Sequence, residues 1–240
     1  MPISSNTLFH FTSERETLES ILKSKYLWPQ FCTEYYWGKY RFALPMSCLC
    51  DIPLSEMMVH IKHYGKFGIG LSKEWAKNIK ELSTVIYTRH NSLIYKHVCS
   101  ILNNIDIGQK LSKEDMFILS RVKKYSGNAY CCPNSKRKLI RNVRFYNERE
   151  WRYVPEKLSS NDIFVEKNQD IKPIKGNNEV TKGDPKFEYN DIKYLIVKND
   201  SDRIKLIDFI ENNLGTELNI NGRALLKSKI LTTQQIKEDF

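Results

Sequence analysis

The sequence predicts an α+β fold. Strand-like and helix-like segments follow one another without the regular strand–helix–strand alternation that builds a parallel sheet. Hydrophobic residues make up 41% of the 240 positions, which is enough for a real core. No internal repeat or linker divides the chain, so one domain over residues 1–240 is expected. It should hold two small mixed or antiparallel sheets around a cleft, with helices on one side.

The elements follow from local pattern. Residues 7–11 (TLFHF) read as a strand. Ser13 and Glu16 have capping-box spacing, and Leu18, Ile21 and Leu22 give a helical stripe over 14–24. A loop dense in aromatics follows, then a strand at 42–50 (FALPMSCLC) broken by Asp51-Ile52-Pro53. Ser55 should cap a short helix that Gly65 ends. KFGIGLS at 66–72 reads as a strand whose glycines admit a close neighbour. Ser72 starts a further helix, and TVIYT at 84–88 is a strand. Residues 91–126 read as two helices, the second starting at Ser112. EREWRYV at 148–154 alternates like a half-buried strand. Residues 166–191, rich in Lys, Asn, Asp, Gly and Pro, read as a surface loop. IKYLIVKN is a strand, DRIKLIDFIENNLG a helix stopped by Gly215, and ALLKSKIL a last strand before a turn capped by Thr232 or Thr233.

Lys and Arg exceed Asp and Glu by 38 to 28, a net charge of +10. Such a surplus favours an acidic partner, and nucleic acid, RNA or DNA, is the first candidate. Five basic residues, Lys136, Arg137, Lys138, Arg141 and Arg144, crowd one stretch without an acid and are the expected contact segment. No stretch approaches the roughly 20 apolar residues of a spanning helix. The first residues lack a basic segment followed by an apolar one, so the protein is expected in the cytoplasm with no membrane partner. The six cysteines fit no disulfide framework and are expected to be reduced; a zinc site at Cys48, Cys50, Cys131 and Cys132 is the alternative.

Three places could carry chemistry. His10 alternates with Phe9 and Phe11, so it should face away from both. Tyr64, just before Gly65, could stack on a flat ring. Glu148 and Glu150 are two apart in EREWR, so on a strand both carboxylates share a face. Paired carboxylates suit acid–base work or the stabilisation of a developing cation. Each has a plainer alternative: a structural strand histidine, a core tyrosine, a charged edge strand.

Their order along the chain, a His on the first strand, a mid-chain aromatic and a Glu on a late strand, resembles the His-Tyr-Glu arrangement of diphtheria-toxin-type and DarT-like ADP-ribosyltransferases. The segments LFHFT, PMSCLCDIPLSE, HYGKFGIGLSKEW, NEREWRYV and SKILTTQQIKEDF resemble the bacterial abortive-infection family of the AbiG type, first component. The first resemblance implies an ADP-ribosyltransferase-like sheet arrangement and NAD as substrate. His10 would hydrogen-bond a ribose hydroxyl, Thr12 would join it in binding NAD, Tyr64 would stack on nicotinamide, and Glu150 would be catalytic, with Glu148 helping to place the acceptor. Glu150→Gln, nearly isosteric, would then leave the fold intact. Where the better-known toxins carry Ser-Thr-Ser, this chain has Ser47-Cys48-Leu49-Cys50-Asp51. The second resemblance implies phage defence with a cognate toxin or antitoxin protein, and a non-enzymatic component binding protein or RNA is the competing function. A nuclease using Glu148, Glu150 and a metal is a third.

Overall fold

The computed structural model describes residues 4–36, 40–106, 109–131, 138–156, 158, 164–166 and 185–240. In chain order the elements are β1 (Thr7–Thr12), α1 (Arg15–Ser24), β2 (Gln30–Tyr36), β3 (Tyr40–Cys50), α2 (Met57–Tyr64), β4 (Phe67–Ser72), α3 (Lys73–Lys77), β5 (Leu82–Thr84) and β6 (Ile86–Thr88). Then come α4 (Leu93–Asp106), α5 (Lys113–Arg121), β7 (Val122–Lys124), β8 (Gly127–Cys131), β9 (Lys138–Val143), β10 (Glu150–Tyr153) and β11 (Phe164–Glu166). The chain closes with β12 (Ile192–Val197), α6 (Asp200–Asn213), α7 (Ile220–Lys227), β13 (Ile230–Thr232) and α8 (Thr233–Asp239).

The architecture is mixed α+β. A central sheet runs β13-β12-β4-β1-β3-β10-β5, with β2 and β11 also paired to β3. Its pairings are antiparallel except for β12 with β13. The two halves are not separate sheets, because the long β3 belongs to both. Its first part pairs β2 and β11, and its last residues pair β10 and β1.

Alternation along β1 sets the layers. Leu8 joins Leu49, Ile69, Leu71 and Leu195 in a core covered by α1, α3 and α6. Phe9 and Phe11 face the other way, into a core with Met57 and Ile61 of α2 and Ile236 of α8. A third core packs Phe42, Leu44 and Met46 of β3 on Val98, Ile101 and Leu102 of α4. Helices therefore cover both faces of the sheet, where one side was expected.

The glycines of β4 have a packing reason. A Cβ on Gly70 would sit 2.8 Å from the Phe9 ring and from Thr7 Cγ2, and one on Gly68 would sit 2.8 Å from the Phe11 ring. The bare backbone gives both rings their seats. Gly70→Ala is expected to destabilise the fold by about 1–3 kcal/mol through overpacking. An unchanged urea midpoint would show that the Phe9 ring moves aside freely.

Several local expectations are corrected. Helix α1 starts without a side-chain cap, so Ser13 and Glu16 form no capping box. Ser55 lies in a single 3₁₀ turn, Leu54–Glu56, and does not cap α2. TVIYT splits at Val85, whose N–H donates to the Glu150 carbonyl. The second helix of 91–126 stops at Arg121, and Val122–Lys124 is a strand parallel to β6. The first half of ALLKSKIL is helical, and only its last two residues lie in β13. Most of the 166–191 loop lies outside the described residues, but its end is not surface, since Phe187 and Tyr189 are buried in the core. Ser72, Ser112 and Thr232 do cap helices as their spacing suggests.

Candidate functional site

The β1–β3 ladder holds a single pair, Phe9 with Cys50, while β1 stays paired to β4 throughout. Beyond that pair β1 and β3 part. The His10 ring spans the opening: its Nδ1–H donates to the Cys48 carbonyl at 2.8 Å. A carbonyl can only accept, so Nδ1 carries the proton and Nε2 is an acceptor when the ring is neutral. Burial lowers the His10 pKa, and the Cys48 bond only partly opposes this, which keeps the ring neutral.

A cavity of about 300 Å³ opens there, at the small end of ligand sites. It is lined from β1, β3, α2 and the β7–β10 region by His10, Tyr64, Glu148 and Glu150 among others. Residues that lie far apart in sequence thus converge. Along α2, His60 and Tyr64 are one turn apart and make a tilted ring contact at 4.3 Å between centroids, with His60 also against Phe11 at 5.5 Å.

The floor is ionic. Lys123 Nζ donates to Glu148 Oε2 at 2.7 Å and to Glu150 Oε2 at 2.6 Å. Arg152 Nε donates to Glu150 Oε1 at 2.6 Å, and its Nη2 reaches Glu34. Tyr64 Oη–H donates to the other oxygen of Glu148. Arg152 is 0% exposed and Glu150 5%, so these are desolvated charges that survive only as a set. Burial alone would raise the Glu150 pKa; Arg152 and Lys123 overcome it and hold the carboxyl well below the usual carboxylate range. Glu150 is a fixed anion, unsuited to general-acid work.

Glu148 is not on the strand, contrary to expectation. It ends a 3₁₀ turn, Phe145–Glu148, and Arg149 follows with φ +45° before β10 begins. The two carboxylates still meet, because Lys123 stands between them. That ammonium occupies the position a bridging metal would need. Among the described residues no three His, Cys, Asp or Glu side chains form a metal-binding group, and Cys32, Cys48, Cys50 and Cys99 are free thiols.

Of the other expected site residues, Thr12, Arg141 and Arg144 do not line the cavity. Thr12 ends β1, paired with Phe67, and its carbonyl packs against Gly65. Lys136 and Arg137 lie outside the described residues, as does the side chain of Lys138 at the start of β9; Arg141 and Arg144 are exposed. The residues not anticipated are Lys123, Arg152, Glu34 and His60. The pattern called for some counter-charge, since two carboxylates within an apolar, alternating segment must be neutralised, but it did not say which cations supply it.

His60 makes stability pH-dependent. Burial, followed by the charge of Lys123, pushes its pKa down to about 3. The unfolded chain takes up this proton near pH 6.5 and the native chain does not. The stabilisation is whole above pH 6.5 and declines as pH falls toward 3, by at most about 1.4 kcal/mol per unit. His60→Phe is expected to flatten unfolding free energy against pH between 6.5 and 5. Parallel curves for the two proteins would mean that His60 titrates normally.

A family model described as "Putative abortive phage resistance protein AbiGi, antitoxin" matches residues 30–198. The matched stretch runs from β2 to β12 and takes in Lys123, Glu148, Glu150 and Arg152. The chain belongs to the AbiGi abortive-infection family. A relative, the abortive phage resistance protein AbiGi of Lactococcus lactis subsp. cremoris, is 30% identical over 223 residues, covering 82% of this chain and 89% of its own. No solved structure matches the chain. AbiGi membership supports a role in phage defence, and no helix among the described residues is long and apolar enough to cross a membrane.

Proposed function

We propose that this AbiGi-family protein acts in phage defence by binding NAD+ in the β1–β3 cavity and transferring ADP-ribose to nucleic acid. The observation that supports this reading is the convergence of His10, Tyr64 and Glu150 on one cavity. A binding module would not need it. The neutral His10 ring offers Nε2 to a ribose hydroxyl. Tyr64, 42% exposed although its hydroxyl is tied to Glu148, presents its ring to a flat group. Glu150, kept ionised, would face the ribose as the C1′–N bond breaks. Nicotinamide leaves with the bonding pair, the ribosyl carbon becomes oxocarbenium-like, and a fixed carboxylate stabilises that charge. An acceptor oxygen or nitrogen then bonds to C1′ and releases its proton to water. The net charge of +10 suits a nucleic-acid acceptor.

A second reading has its own support. The family description ends in "antitoxin", and both Glu150 oxygens are already engaged by cations. On that reading the chain is a non-enzymatic partner that binds a toxin protein, and the ionic floor is structural. Incubation of the purified protein with labelled NAD+ and separate RNA, DNA and protein pools decides between them. Label on one pool, lost in Glu150→Gln, supports transfer; no label on any pool favours the antitoxin.

A further inference from the structure

Lys123 and Lys124 follow one another at the end of β7, and both line the cavity. Each Nζ lies 5.1 Å from the centroid of Phe145. Their partners differ. Lys123 is closed between two carboxylates. Lys124 donates to the Asn128 carbonyl at 2.9 Å and, among the described residues, has no carboxylate within ion-pair distance. An ammonium carries three donors, so two N–H groups have no hydrogen-bond acceptor among the described residues. Yet Lys124 is only 7% exposed, and a lysine this deep normally has a counter-charge. The backbone closes over it as well: Gly127 has φ +156°, and a Cβ there would lie 3.1 Å from Lys124 Cε and Nζ. Burial lowers the Lys124 pKa, and Glu34 only partly opposes this, so the ammonium is short of negative charge.

We infer that Lys124 anchors the phosphate of a mononucleotide-sized ligand in this cavity. The ligand class rests on the proposed function; the anchoring does not depend on any transfer step. Three acceptor oxygens and a negative charge match the two spare donors and the unbalanced ammonium. The cavity's Trp28, His60 and Tyr64 suit the flat ring that a nucleotide carries beside its phosphate. Volume limits the occupant, since about 300 Å³ admits one nucleoside and its phosphate, which is one half of NAD+ with the other half outside, but not a strand.

The test is binding, followed by calorimetry or by tryptophan emission. AMP is the phosphorylated probe and nicotinamide the uncharged ring. For Lys124→Met, AMP affinity is expected to fall about tenfold or more, with Lys124→Arg recovering most of it and nicotinamide affinity unchanged. Equal AMP affinity in wild type and Lys124→Met overturns the inference, as does failure of wild type to bind AMP. Because the substitution is buried, a measurement on the wild-type protein stands beside it. In competitive acetylation, AMP should slow modification of Lys124 several-fold and leave the exposed Lys237 unaffected. Equal rates at Lys124 with and without AMP also overturn it. A protein that binds AMP through Lys124 but never transfers label from NAD+ sinks the transferase reading alone. Transfer that persists in Lys124→Met with wild-type KM sinks the anchor alone.

Discussion

Arg152→Met is expected to lower the unfolding free energy by about 3–5 kcal/mol, because it removes the cation that buried Glu150 and part-buried Glu34 share. Arg152 has no exposed surface, and it holds Glu150, Glu34 and the Ser120 carbonyl. Methionine fills much of the volume but leaves Glu34 without its cation and Glu150 with Lys123 alone. Urea unfolding at pH 7 measures the loss. Adding Glu34→Leu to Arg152→Met should recover part of it, since an unpaired, largely desolvated charge costs more than an apolar pair. A loss below about 1 kcal/mol would mean that water reaches the ionic floor and screens it.

Glu150→Gln is expected to abolish label transfer from NAD+, provided that the proposed chemistry holds. The expectation that this nearly isosteric change leaves stability untouched does not survive the geometry. Glutamine offers one acceptor oxygen where Lys123 and Arg152 now find two charged ones. A loss of about 1–3 kcal/mol is expected alongside the loss of activity. The two effects separate if transfer is assayed well below the unfolding midpoint. Wild-type transfer by the folded variant would remove Glu150 from the chemistry.

Much of this was legible in the residues, and the failures have physical causes. The stripe Leu18, Ile21, Leu22 gave α1 correctly because three apolar positions at helical spacing leave little choice. The alternation in EREWRYV gave β10 but placed its start too early. Arg149 adopts a left-handed conformation that no local pattern announces, and Glu148 falls on the turn before it. RVKK read as the end of a helix because Val122 continues the apolar spacing of α5, and only pairing with β6 makes it a strand. ALLKSKIL failed for the commonest reason: a short apolar run suits either period, and the Asn219 cap that settles it is a single residue. At the candidate site, His10, Tyr64 and the two glutamates could be picked out by residue type and order. Lys123 and Arg152 could not, since a buried cation looks like a surface one until its neighbours are known.

The order in which strands join the central sheet bears on synthesis. β1, made first, lies between β4 and β3, so both its neighbours emerge soon after it. The outer edge of β4 has no partner until β12 is made, near the end of the chain. Until then Ile69 and Leu71 lack the α6 and β12 side chains that complete their core, and a row of unpaired backbone groups faces outward on a growing chain. A stalled or truncated nascent chain that ends before Ile192 would carry that open edge into a crowded cell. Its expected fates are chaperone capture or edge-to-edge aggregation. The segment from Ile192 onward is what closes this edge of the sheet.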